Sequence, residues 1–159
     1  MPVAFREKDT DKHTPRLFDD NFYLMTVRLF AKILIGLYAL HSGMSYRKDI
    51  YNLYHDFTSD SQTIYNKATQ CLLKKGVVAR PPSVPMPNDI EFVQDTSYSS
   101  GLNPFGKKRV LNTVEIGLVY QALEANITGT QLMTGFAQVA ENPDVKQYFQ
   151  RGKASGNNE

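Results

Sequence analysis

The stretch KKGVVARPPSVPMP, residues 74–87, decides how this chain is organised. A helical pattern of apolar residues ends at Gly76, and four prolines follow within the same stretch. Because proline fixes its own φ angle and has no backbone N–H, the stretch favours an extended, polyproline-like course over a helix. It therefore separates two helical parts of the chain.

The first of two long helices before this stretch is predicted from about residue 19 to residue 42. Asp19 or Asp20 can cap its first turn, and Gly43 can take the left-handed position after its last turn. Its apolar residues form two adjacent stripes at helical spacing, which predicts a helix buried against two neighbours. The stripes are Phe22, Met25, Leu29, Ile33, Gly36, Leu37 and Leu40, and Tyr23, Val27, Phe30, Leu34 and Tyr38.

The second helix is predicted over about residues 46–75. Its apolar or small residues alternate steps of four and three, which is the heptad spacing of left-handed bundle packing. This predicted seam is Ile50, Tyr54, Phe57, Ser61, Ile64, Ala68 and Cys71. Since only a few residues connect the first two helices, we expect them to form an antiparallel hairpin.

Two more helices are predicted after the proline-rich stretch. The third begins at Asn112, whose side chain and that of Glu115, three residues later, form the pattern of a capping box. Gly129 and Ala125 are small enough to let another helix approach closely. A shorter fourth helix begins at Asn142, with Pro143 in its first turn.

The segment 77–110 between the second and third helices has no helical periodicity. At about 3.1 Å per residue, it can run the length of a thirty-residue helix, about 45 Å, and make these two helices parallel. A single crossover of this kind is typical of ferritin-like bundles. We therefore predict an all-α, ferritin-like four-helix bundle over residues 16–153, with a flexible polar leader at 1–15 and a disordered tail at 154–159.

Composition excludes several classes of protein. The chain has 159 residues and a formal net charge of +2, with the basic residues spread along it, which argues against a nucleic-acid-binding surface. The N-terminus lacks the apolar core of a signal peptide. The apolar run 22–40 contains Arg28 and Lys32, each costing roughly 2.5–3.5 kcal/mol at mid-bilayer, so we predict a bundle helix and no membrane span. One cysteine allows no internal disulfide, which fits the cytoplasm.

Ordered segments covering residues 15–153 resemble a family of uncharacterised proteins from spore-forming Gram-positive bacteria. These segments are RLFDDNFYL (16–24), RKDIYNLY (47–54), IYNKATQCLLKKG (64–76), RPPSVPMP (80–87), LNTVEI (111–116) and GFAQVAENPDVKQYFQRGK (135–153). The family is built from tandem ferritin-like four-helix units, and some members are described as spore coat proteins. The resemblance implies the same bundle and a structural role.

The order of the helices differs from the family's order. There, a unit begins with a pair like the third and fourth helices here and continues with a pair like the first and second. We therefore expect a truncated, out-of-phase single-unit member with a short last helix. A bundle lacking part of one helix exposes an apolar groove, which favours a homo-oligomer or association with a related tandem-unit protein.

The resemblance makes a di-iron centre the metal site to test, since many ferritin-like proteins hold one. Such a centre needs Glu-x-x-His pairs, which place a carboxylate and an imidazole on one helix face. The residues three before His13, His41 and His55 are Thr10, Tyr38 and Asn52. The carboxylates near the bundle, Glu115, Glu124, Asp56 and Asp60, also lack the pattern. We assign no catalytic, cofactor-binding or metal-binding residue.

The lone cysteine, two histidines and the tyrosines are each expected to have a structural role. Cys71 lies on the predicted seam and is expected to fill the core. His41, near the end of the first helix, can interact with the helix dipole, and His55 is expected on a helix surface. The tyrosines are expected to pack as aromatic residues with the hydroxyl at the rim.

The sequence thus predicts a non-catalytic structural or interaction protein, cytoplasmic or spore-associated, without a cofactor. Two alternatives stay open. One is a metal- or ligand-dependent enzyme that uses the bundle interior, and the other is a sensor that binds a small apolar ligand there.

Overall fold

The computed structural model of the chain describes residues 15–99 and 111–156. This part is all-helical, as predicted, and contains no strand. Its elements are α1 (Asp20–Gly43), α2 (Lys48–Lys74), a short 3-10 turn (Thr96–Ser99), α3 (Thr113–Val139) and α4 (Pro143–Gly156).

The ends of the first two helices follow local capping signals, with one correction. The Asp19 side chain accepts a hydrogen bond from the Phe22 amide at 2.8 Å, which confirms the predicted N-cap of α1. Gly43 was predicted to be left-handed after α1, but this is wrong because it is the last helical residue. Gly76 has the positive φ of 68° and ends α2, and the amide of Val77 donates back to the Leu72 carbonyl.

The helices α1 and α2 form an antiparallel hairpin. The Lys75 ammonium, just after α2, donates to Asn21 at the start of α1 at 3.1 Å. At the other end, the rings of Tyr38 and Tyr54 have their centroids 6.1 Å apart. The hairpin predicted from the short connection is present.

The buried line of α2 departs from the predicted seam towards its C-terminal end. Ser61 and Ala68 are buried as expected, but Ile64 and Phe57 are 47% and 39% exposed. Leu72, absent from the predicted seam, is only 1% exposed. An α-helix drifts by about 20° per heptad relative to a strict seven-residue repeat, and this drift moves the buried line from Cys71 to Leu72.

The second pair of helices also begins at predicted caps. Asn112 and Glu115 exchange both hydrogen bonds of the capping box, at 2.9 and 2.8 Å. The Asn142 side chain accepts from the two amides that open α4. The rings of Phe136 and Phe149 join α3 to α4, with centroids 5.4 Å apart. α4 reaches residue 156, past its expected end at residue 153.

The close approach between α1 and α3 lies at Gly135. The Phe18 ring, just before α1, occupies the space that a Cβ at Gly135 would need. Gly129, predicted with Ala125 to allow a close approach, has open space around it instead.

The segment after α2 is neither helix nor strand through residue 94, and it is exposed from Ala79 onwards. Its first residues lie along α3, where the Tyr120 hydroxyl donates to the Ala79 carbonyl at 3.4 Å. The rest of the predicted crossover, 100–110, lies outside the described residues. Most of the predicted leader and the end of the predicted tail lie outside them as well.

The helix α1 is much less buried than predicted. Its buried residues are Phe22, Leu29 and Ala31, whereas Phe30 and Leu40 are 51% and 61% exposed. α2 covers one face and α3 a second, which leaves a third face uncovered. By length and composition α1 could cross a membrane, and only 11% of its most apolar stretch is buried; a core helix or a signal sequence passes the same test.

Candidate functional site

A cluster of charged and polar side chains joins α1, α2 and α3. The carboxylate of Glu124 on α3 lies 2.6 Å from Arg28 Nη1 and 2.6 Å from Lys32 Nζ, both on α1. Arg28 also donates to Thr69 at 3.2 Å and to Tyr65 at 3.4 Å on α2. The three charged side chains are 16–28% exposed. We call this group the Glu124 cluster.

Electrostatics favour the charged forms of Glu124 and Arg28. Burial acts to raise the pKa of Glu124, but the hydrogen bonds and charges of Lys32 and Arg28 outweigh it and lower that pKa. Burial likewise acts to lower the pKa of Arg28, yet its contacts with Tyr65 and Glu124 raise it overall. A carboxylate held this way by two cations is a weak proton acceptor, so Glu124 is poorly suited to be a general base.

A cavity of about 240 Å³ lies beside the Glu124 cluster, between α1, α3 and the start of the segment after α2. Leu72 from α2 also lines it. The other apolar side chains around it are Met25, Val77, Val78, Leu123 and Ile127.

The polar groups at the edge of the cavity already have partners. The Thr128 hydroxyl donates to the Glu124 carbonyl at 2.9 Å, and the Tyr120 hydroxyl donates to the Ala79 carbonyl at 3.4 Å. Arg28 and Glu124 are paired with each other. The cavity therefore offers mainly apolar contact, and the arrangement is suited to binding rather than to proton transfer.

The structure does not bring the candidate carboxylates together. Glu115 belongs to the capping box and Glu124 to the ion-paired cluster. Asp56 lies 3.5 Å from His55 on the exposed side of α2, and Asp60 is exposed as well. Within residues 15–99 and 111–156, no three His, Cys, Asp or Glu side chains form a group that could hold a metal ion.

The remaining residues considered in the sequence analysis are the cysteine and two of the histidines. Cys71 is half-buried on α2. The ring of His41, in the last turn of α1, lies 5.1 Å from that of Tyr54. His13 lies outside the described residues.

Over the described residues, these observations define an all-α architecture with four α-helices, an ion-paired junction and an apolar cavity. The chain belongs to a family described as protein of unknown function (DUF3231), whose sequence model matches residues 1–90 and 99–159. Membership of an uncharacterised family, expected from the resemblance, is thereby confirmed. No curated protein and no solved structure matches the chain.

Proposed function

We propose that this chain is a non-catalytic protein-interaction module that pairs with a second copy through the uncovered face of α1. The observation that carries the proposal is a heptad row on that face, here called the α1 seam. It consists of Tyr23, Thr26, Phe30, Ile33, Leu37, Leu40 and Met44, at alternating steps of three and four residues. Thr26 is the half-buried member of this row, and its hydroxyl oxygen is buried. The apolar members of the row are between 42% and 69% exposed.

Heptad spacing of this kind is what a helix needs to pack against another helix. Apolar residues repeating every 3.5 positions keep one line of side chains facing the partner through several turns. A wide apolar face of a helix is normally buried in the assembled protein. The α1 seam therefore calls for a partner that the rest of the described chain does not provide.

The size of the α1 seam fits a second copy. Six apolar side chains, each about half exposed and each carrying roughly 150–200 Å² in full, offer on the order of 500 Å² per copy. Two copies together would bury on the order of 1,000 Å², which is about the lower bound for a specific interface.

The charges of α1 also fit self-pairing. Arg28 and Lys32 point to Glu124 on α3, away from the α1 seam, so the seam contains no charged side chain. A two-fold pairing of two uncharged rows leaves no ion buried without a partner.

We extend the proposal to a ferritin-like bundle and a role like that of spore coat proteins, in the cytoplasm or the spore. The contacts of Arg28 with Glu124 and of Phe18 with Gly135 support an antiparallel arrangement of α1 and α3. Together with the antiparallel α1–α2 hairpin, this makes α2 and α3 parallel, as a single crossover requires. The spore-coat role is supported by the sequence resemblance, and a related tandem-unit protein is the alternative partner.

Molar mass in solution, measured by light scattering on a sizing column, tests the self-pairing. The unaltered chain should be a dimer, and the double substitution Phe30→Lys with Leu37→Lys should give a folded monomer by circular dichroism. The control is Leu53→Lys with Leu73→Lys, which changes two exposed residues of α2 and should leave the dimer intact.

Several outcomes would overturn this proposal. A monomeric unaltered chain refutes self-pairing, and a dimer that survives both α1 substitutions refutes the α1 seam as its interface. Binding of the monomer to lipid vesicles would assign the seam to a membrane instead. Stoichiometric iron or manganese in the purified protein would overturn the non-catalytic part.

A further inference from the structure

We infer that the cavity beside the Glu124 cluster is a binding site for a small, uncharged, mainly apolar molecule. The cavity brings together α1, α3 and the residues that follow α2. This inference stands independently of self-pairing, because the cavity and the α1 seam share no residue.

The volume sets the size of the ligand. An apolar cavity of about 150 Å³ is known to admit benzene, which has six carbon atoms. By proportion, the cavity of about 240 Å³ has room for a molecule of roughly ten non-hydrogen atoms. A bicyclic aromatic compound or a short branched hydrocarbon has this size.

The chemistry of the walls selects against charge. Arg28 already uses its side-chain nitrogens on Glu124, Thr69 and Tyr65. An anionic ligand would meet the carboxylate of Glu124 and a cationic one would meet Arg28, and either would compete with an ion pair already formed. A buried ligand charge without a partner costs several kcal/mol, so an uncharged ligand is favoured.

The position of the cavity gives binding a structural consequence. Met25 belongs to the first hairpin, Ile127 to the second, and Val77 to the segment between them. A ligand in contact with all three holds the hairpins together, and it stabilises the folded chain by mass action.

Indole, an uncharged bicyclic aromatic molecule with nine non-hydrogen atoms, is a suitable probe. Isothermal titration calorimetry on the full chain should give saturable one-to-one binding. Amide shifts in a ¹H–¹⁵N NMR spectrum should be largest at Leu72, Val77, Leu123 and Ile127. Saturable binding with shifts at these residues is the expected result, and it does not depend on any variant being folded.

Substitutions that fill the cavity give a second readout. Ala79→Phe and Ile127→Phe each add bulk to the lining and should weaken indole binding at least tenfold. Ala122→Phe makes the same change at an exposed alanine of α3 outside the lining, and should alter the affinity less than twofold. If one of these two variants fails to fold, the other is enough to test whether filling the cavity weakens indole binding.

Two results would overturn the inference. One is the absence of saturable indole binding at millimolar concentration. The other is binding that folded Ala79→Phe or Ile127→Phe leaves unchanged, because indole would then occupy the exposed apolar surface of α1 or α3.

Discussion

Replacing Glu124 with glutamine keeps the size of the side chain and removes the charge that both Arg28 and Lys32 contact. Each of these cations lies 2.6 Å from a carboxylate oxygen of Glu124. In Glu124→Gln the two cations remain close together, partly buried and without a counter-ion. We expect the α1–α3 junction to weaken.

The burial of the Glu124 cluster sets the size of the effect. An exposed ion pair contributes about 0–1 kcal/mol, whereas removing one partner of a fully buried pair costs about 3–5 kcal/mol. With 16–28% of each side chain exposed, the cluster lies between these limits. We expect Glu124→Gln to lower the free energy of unfolding by about 2 kcal/mol.

Urea denaturation followed by circular dichroism measures this change. Glu141→Gln is the matched control, because Glu141 is an exposed carboxylate just after α3 and its loss should change stability by less than about 0.5 kcal/mol. A double-mutant cycle with Arg28→Gln should give a coupling energy of at least about 0.5 kcal/mol, as expected of groups in contact. If Glu124→Gln changes stability no more than the control, the cluster does not join the hairpins.

The same pair of proteins should respond differently to acid. Because the pKa of Glu124 is lowered in the folded chain, the unfolded chain binds this proton more readily. The stabilisation is complete above the unfolded pKa of about 4.3 and is lost as the pH falls through the lower folded pKa. The difference in the free energy of unfolding between the unaltered chain and Glu124→Gln should therefore become smaller below about pH 4. If this difference in free energy stays constant down to pH 3, the pKa of Glu124 is not lowered in the folded chain.

Two further pairs of substitutions test packing by thermal unfolding. Leu72→Ala should cost about 2–5 kcal/mol, whereas Leu73→Ala, at a residue 53% exposed, should cost less than about 1 kcal/mol. Gly135→Ala should lower the melting temperature because the new Cβ meets the Phe18 ring, whereas Gly129→Ala, in open space, should stabilise by up to about 1 kcal/mol. Equal effects within either pair would refute the packing described.

Features set by near neighbours in the chain were predictable from the sequence. The capping box at Asn112 and Glu115 and the N-cap at Asp19 depend on bonds across three residues, and both are present. The proline-rich stretch is non-helical because proline removes the donors that a helix needs. Interactions of this kind involve only residues that are close together in the sequence, so the sequence alone is enough to predict them.

Features that depend on distant parts of the chain were not predictable in the same way. Apart from the face that carries Arg28 and Lys32, α1 is apolar, so its pattern could not indicate which of its apolar faces would stay uncovered. Leu72 is only 1% exposed and lines the cavity together with residues of α1 and α3, and Gly135 is close-packed because of Phe18. Neither contact can be predicted from the pattern of neighbouring residues in the sequence.

The Glu124 cluster joins residues 96 positions apart, but the sequence did contain a signal for it. Arg28 and Lys32 are spaced to share one face of an otherwise apolar helix, and such a face needs a carboxylate opposite it. Of the two carboxylates on α3, Glu115 is taken by the capping box, which leaves Glu124. An unexplained pair of cations on an apolar helix is thus evidence of a partner helix.

The three faces of α1 account for its unusual composition. On one face, small and aromatic residues pack against α2. On a second face, Arg28 and Lys32 contact Glu124 of α3. The third face, the α1 seam, has no such partner in the described chain, yet it keeps a heptad spacing that solvent exposure alone would not require. Because the cavity borders α1 at Met25 and Arg28, a second copy on the α1 seam would leave the cavity open. A bound molecule would then act directly on the α1–α3 junction. It would affect the pairing of two copies only indirectly, by changing the position of α1.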